Sequence, residues 1–252
     1  MQKTKYFVVD SRDRVTGTSS DFKVYVNPAV TAVNRISLCN VTFPNTVYNV
    51  NSNNNIIYFF EYVSSSTQLT ATITPGAYNY GTLLTAIQTA MNAASVHSFT
   101  YTATYSATTF MITITSTGSF GLSFGTYTTN SIANIIGFTI NTSNATSQTG
   151  NQVIQLYQST FYYIDIREFP IATKSTNSLD YGTFVINTSV NSGNVEDWNL
   201  LNSYHQVQTY EGQNLQELNV RLRDRNNQIL NLNGADWSMI LEFKTKKSKI
   251  LL

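Results

Sequence analysis

His97, His205 and Cys39 are the only histidines and cysteine in the chain, and none has a companion at a spacing that makes a site. A zinc centre needs three or four Cys, His or acidic ligands held close together. A nucleophilic pair needs a thiol or hydroxyl beside a base. Neither pattern is present. Asp165 with Glu168, or Glu196 with Asp197, has the residue types of a glycosidase carboxylate pair. Any chain with fourteen acids offers such pairs, and the mechanism depends on their separation in space. Asp10, Asp13 and Asp21 carry oxygen ligands suited to calcium but lack the EF-hand spacing. Four sequons, at Asn40, Asn141, Asn144 and Asn187, are what chance supplies in a Thr-rich chain. No metal or cofactor is expected.

The distribution of charge says more. Residues 62–164 contain no Asp, Glu, Lys or Arg, so all 15 basic and 14 acidic residues lie in 1–61 and 165–252. The chain reads as a charged frame around a neutral insertion. Net charge is +1, which gives no field to steer the whole protein toward nucleic acid or anionic membrane. A lone cysteine excludes an internal disulfide and suits a reducing compartment. The apolar run near Met1 is too short for a signal peptide, and no apolar segment approaches the roughly 20 residues that span a bilayer. The expectation is a soluble, non-secreted protein.

The elements follow from hydrophobic period. Phe22, Val24 and Val26 alternate with Lys23, Tyr25 and Asn27, a strand with one buried face that Pro28 should end. Val33 to Phe43 forms another strand. In the insertion, strands at 56–62 and 68–73 precede Pro75-Gly76, and Asn79 is placed to cap a helix over 82–92. Leu83, Leu84, Ile87, Ala90 and Met91 form its apolar stripe. Strands at 99–105, 110–115 and 120–124 follow, then a helical turn stopped by Gly137. Residues 139–152 read as a linker. The frame resumes with strands at 152–158, 161–167, 183–186 and 204–210. Residues 191–202 read as loop between the last two. A meander then runs through Leu218, Val220 and Leu222, a strand at 228–232, the Asn233-Gly234 turn, and Trp237, Met239, Leu241 and Phe243. The fold class is mainly β, a two-sheet sandwich with an inserted β-β-α-β-β-β module. Its boundaries are 1–55 plus 152–252 for the sandwich and 56–151 for the insertion.

Three stretches carry a family resemblance. They are Phe7–Arg14 with Ser20–Val24; Thr74-Pro75-Gly76-Ala77-Tyr78 with its helix and Ile136-Gly137-Phe138; and Asn214-Leu215 through Leu218–Asp224. In this order the chain resembles the penton (vertex) and related minor capsid proteins of virophages and allied large DNA viruses of the double-jelly-roll lineage. The resemblance implies a single jelly-roll base from which an insertion rises, and five copies that close the icosahedral vertex of a virion. It implies as partners the chain itself, the double-jelly-roll major capsid protein and other minor capsid proteins, with assembly in the host cytoplasm. It implies no enzymatic activity.

Several side chains admit two readings. Arg12, Asp13 and Arg14, with Arg221 and Arg223, are either capsid or subunit contacts or ion pairs on solvated loops and strands. Lys244, Lys246, Lys247 and Lys249 are either an interior tail that touches genome phosphates without sequence preference or a solubilising end. Tyr78, Tyr80, Tyr101, Tyr105 and Tyr127 either stack on sugar rings, which would make the insertion a receptor- or carbohydrate-binding head like a fibre or lectin, or pack against each other. A glycoside-acting enzyme on a β sandwich is a third reading. Fold alone does not choose among these functions.

Overall fold

Alternating apolar residues form many of the strands among the described residues. A computed structural model describes residues 3–63, 66–156, 161–169, 173–174, 181–188, 194–199, 207–225 and 227–245. In chain order the elements are β1 (Lys3–Asp10), a 3-10 turn (Ser11–Asp13), β2 (Thr16–Gly17), β3 (Asp21–Pro44), β4 (Ile56–Tyr62) and β5 (Ser66–Thr72). Next come α1 (Tyr80–Ala94), β6 (Tyr101–Tyr105), β7 (Ile112–Leu122), α2 (Ala133–Ile136) and β8 (Ala145–Thr149). The last are β9 (Phe161–Ile166), β10 (Thr173–Lys174), β11 (Tyr181–Gly182), β12 (Phe184–Asn187), β13 (Val195–Asn199), β14 (Val207–Arg223) and β15 (Ser238–Thr245). They divide into two units, Met1–Val47 with Ser159–Leu252, and Tyr48–Gln158.

The first unit is a jelly-roll-like sandwich whose two sheets share their longest strands. The first part of β3 lies between β2 and β14, which continues to β9 and β12. Its later part lies between β15, which carries β1, and β13 with the start of β14. Both halves turn their apolar faces into one core. Phe43 in the second half packs edge-on against Tyr162 of β9 at 5.8 Å, and Phe22 in the first packs against Trp237 at 6.0 Å. These contacts span the sheet-to-sheet gap of a sandwich.

Pro28 does not end the strand as expected. Between the pairs Tyr25–Glu217 and Val30–Leu215 the β3–β14 register slips, so residues 26–29 have no ladder partner. A proline, which has no N–H to donate, costs nothing in such a bulge. Ala32 and Gly212, both left-handed, lie at the same corner. A second slip skips Cys39 between Asn40–Ile240 and Leu38–Leu241. It brings Val41 and Phe43 onto the buried side with Ile36 and Leu38.

The second unit packs α1 against a curled sheet. Asn79 caps α1 reciprocally with Thr82, and Leu83, Ile87 and Met91 are buried along its inner face. The polar residues of α1 also close the free side of β6. Tyr101 donates its N–H to Asn92 Oδ1 (2.6 Å), Asn92 Nδ2 donates to the Tyr101 carbonyl (3.2 Å), and Ala103 donates to Gln88 Oε1 (3.1 Å). An exposed row of backbone groups is a template for unwanted pairing, and this one is covered.

Other differences from the sequence reading have local causes. Residues 112–122 form one strand, β7, which pairs first with β6 and then with β4. Phe110, expected in a strand, instead closes the turn at 106–111, with its N–H on the Ser106 carbonyl. Residues 145–149, expected in a linker, pair with β7, and 195–199, expected in a loop, pair with β3. Residues 228–232 contribute only an isolated bridge between Arg223 and Ile229. The strand expected at 152–158 is absent over 152–156; 157 and 158 lie outside the described residues. The Asn233-Gly234 turn has the two positive φ angles its sequence demands, 52° and 83°.

Residues 48–55, assigned to the frame by sequence, pack in the second unit. The buried Asn49 donates to the carbonyls of Tyr78 (2.7 Å) and Leu156 (3.3 Å) and accepts from Tyr78 N (2.8 Å). Val50 and Gly76 exchange backbone bonds. Asn49 thus joins the chain entering this unit to the chain leaving it. Replacing Asn49 by Ala strands three backbone groups, and urea unfolding should show a loss of about 2–3 kcal/mol.

Candidate functional site

Glu61 is the one carboxylate of the second unit, which contains no Asp, Lys or Arg. It sits where β4 gives way to β6 along β7, opposite Phe120, and its side chain has no exposure to solvent. Oε2 accepts from the N–H groups of Val96 (3.2 Å) and His97 (3.0 Å) and lies 2.9 Å from His97 Nδ1; Oε1 accepts from Tyr101 OH (3.1 Å). The Tyr101 ring is itself wedged between Phe59 and Phe120. Burial pushes the Glu61 carboxyl upward, but hydrogen bonds from Ser95, His97 and Tyr101 outweigh it and hold the group below its usual value. Burial and the Glu61 charge together push the Tyr101 phenol well above its ordinary range. The phenol therefore remains a donor. This is a structural carboxylate with both oxygens engaged and no exposure to solvent.

The charged groups of the frame fall into two sets. On the turn after β1, Arg12 forms a two-pronged pair with Asp10, with a closest contact of 2.6 Å. Arg14 bonds Asp236 (2.7 Å) and the Ser11 carbonyl, and Ser11 Oγ bonds Asp236 as well. Asp13 is exposed beside them. The turn is thereby fixed against the chain just before β15 while Arg12 remains accessible.

The second set lies on β14. Arg221 pairs with Asp21 at 3.2 Å, and Arg167 reaches the same carboxylate at 3.5 Å. Arg223, placed among surface contacts by sequence, is only 4% exposed. It pairs with Asp165 of β9 at 3.3 Å and also bonds Asn227. Alternation puts it on the face of Asn219 and Arg221, opposite the core residues Val220 and Leu222, yet it is covered there and its ion pair joins two strands. Lys244 is half-buried near Glu242 at 3.7 Å. Lys246, Lys247 and Lys249 lie outside the described residues, as does His205.

The acids proposed for catalysis are used in pairing strands. Glu168 accepts from Asn219 N and Nδ2, and Asp197 accepts from Asn40 and Thr42. Asp165 holds Arg223, and Glu196 is buried. Burial raises the Cys39 thiol above its ordinary value. Among the described residues no group of three His, Cys, Asp or Glu could hold a metal ion, and no helix is long and apolar enough to cross a membrane.

The five tyrosines separate clearly. Tyr101 is buried, and Tyr78 spends its hydroxyl on the Thr74 carbonyl. Tyr127 stacks on Tyr58 (5.3 Å), whose hydroxyl goes to Thr129. Tyr80 and Tyr105 stack nearly parallel at 5.0 Å, and Phe110 leans against Tyr105 at 6.4 Å. Tyr80 and Phe110 are 56% and 54% exposed. Phe110 is held at φ 58°, where a bulky L-residue costs roughly 1–2 kcal/mol. Sequence pattern placed Phe110 in a strand and missed it as part of this group; no glycine or asparagine marks the turn.

The profile of one family, described as "Family of unknown function (DUF5901)", matches residues 1–239, and the chain belongs to that family. No curated protein matches the sequence. Among solved structures, the crystal structure of the selenomethionine-labelled mavirus penton protein is similar over 98% of this chain and 100% of that one. The TM-score is 0.54 at 11% identity. At that identity the likeness establishes a shared fold.

Two outcomes follow from this geometry. Glu61 binds fewer protons folded than unfolded, so its contribution is complete above pH about 4.5 and disappears as pH falls through its lower folded value. Urea unfolding from about pH 7 to about pH 3 should show this acid loss, and Glu61→Gln should be less stable at neutral pH with a flatter acid limb. Arg223→Ala leaves Asp165 unpaired in a nearly closed site and should cost about 3 kcal/mol, whereas Arg12→Ala should leave unfolding unchanged.

Proposed function

We propose that this DUF5901 chain is a structural virion protein, a penton subunit whose homopentamers close the icosahedral vertices of a capsid. The observation that carries the reading is the likeness to the mavirus penton protein, which covers 98% of this chain and so takes in both of its units. The use of the frame's acids between strands, and the full engagement of Glu61, support a role without catalysis. The partners are copies of the chain, the double-jelly-roll major capsid protein and other minor capsid proteins, at virion vertices assembled in the host cytoplasm. The sandwich unit, Met1–Val47 with Ser159–Leu252, acts as the base domain and Tyr48–Gln158 as the inserted domain.

Charge supports the same reading. A ring of five needs one surface to meet a different surface on the next copy and to close under rotation. A unit without surface charge can meet identical neighbours with no like-charge contact. Arg12, Asp13, Arg14 and Arg221 are the frame's contacts with neighbouring capsid proteins, and Lys244, Lys246, Lys247 and Lys249 meet genome phosphates without sequence preference.

Light scattering after size exclusion tests this directly: the expected mass is five times 28.2 kDa. A stable trimer would overturn the vertex assignment. Glutamates at Thr70 and Thr72, exposed on the open edge of β5, should convert pentamers to monomers if the neutral unit lines the ring. An unchanged mass would place the ring contacts elsewhere.

A further inference from the structure

The stacked Tyr80–Tyr105 pair and its neighbour Phe110 have no function in the packing of the second unit, whose core closes without them. Three features of the group point outward. The Tyr80 and Tyr105 hydroxyls bond to no other described residue, unlike those of Tyr58, Tyr78 and Tyr101. The rings come from three separate elements, α1, β6 and the turn at 106–111, and each is fixed by its own element's hydrogen bonds. Phe110 is kept exposed in a backbone conformation that a glycine would adopt without strain.

We infer that this platform is a binding site for neutral saccharides. An apolar pyranose face can lie on the exposed aromatic faces, and its hydroxyls can bond the two phenols and the exposed side chains of Thr108 and Thr109. The surroundings select for an uncharged ligand. The unit has no Lys or Arg to recognise sialic acid, sulfate or phosphate, and its one carboxylate is sealed inside. A second copy of the chain suits the patch less well, since the rings are set among hydroxyl side chains and do not form the continuous apolar centre of a protein interface. This assignment stands independently of the vertex reading.

The test is saturation-transfer NMR on the full chain with millimolar chitotriose, mannotriose and lactose as neutral probes and sialyllactose as the charged one. Transfer should reach the axial ring protons of at least one neutral probe and be no stronger for sialyllactose than for lactose. Tyr80→Ala and Phe110→Gly should each weaken the bound probe about tenfold, while Tyr127→Ala, at the other stacked pair, should leave it unchanged. The glycine variant relieves strain, so it stays folded and keeps the test decisive. No transfer from any of the three neutral probes would overturn the site, as would equal binding by the Phe110 variant. A fall in oligomer mass in that variant would identify the patch as a copy-to-copy contact instead.

Discussion

A single buried negative charge organises the second unit. Two antiparallel strands, β4 and β6, meet the same side of β7 one after the other, and a sheet built so has a gap where one partner stops and the next begins. Backbone donors facing such a gap must find acceptors, because an orphaned buried N–H costs about as much as a lost hydrogen bond. Glu61 takes up the Val96 and His97 N–H groups and the Tyr101 hydroxyl at that place. A neutral side chain there would offer fewer and weaker acceptors. The surrounding neutrality has a corresponding benefit, for no second buried charge competes for the same donors.

The frame solves a different problem with many charges. Arg223 with Asp165, Arg221 and Arg167 with Asp21, and Lys23 with Glu217 lie across neighbouring strands or strand ends and favour the observed register over a slipped one. Glu168 does the same through the Asn219 amide. The 3-10 turn after β1 adds a local anchor, since Ser11 Oγ receives the Trp237 N–H while bonding Asp236. The two units thus use opposite means, dispersed ion pairs in one and a single sealed carboxylate in the other.

Much of this was legible in the sequence where periodicity and chemistry agreed. Asn79 as cap, the stripe through Leu83, Ile87 and Met91, the alternation from Met239 to Phe243 and the Asn233-Gly234 turn are local signals, and the structure has each. The misreadings occur where tertiary partners override a local pattern. β8 is nearly all polar and is a strand because β7 offers it a ladder, with Gln148 its one buried side chain. In β13 the inward residues are Glu196 and Trp198 while Val195 faces out, the reverse of a hydrophobic pattern. Phe110 continued an alternation it did not belong to. Glu61 looked like the last charge before a neutral run, because its donors come 35 to 40 residues later. The platform tyrosines were named among five, and only the geometry separates Tyr80 and Tyr105 from the others.

The continuity of β3 has a consequence for how the sandwich comes apart. A sandwich whose sheets are joined only by loops can lose one sheet while the other persists. Here a single 24-residue strand is a member of both, and β14 accompanies it through the corner. Freeing either sheet means peeling β3 away from ladders that extend into the other, so the two sheets form one cooperative unit and their backbone amides should exchange with solvent through a common opening.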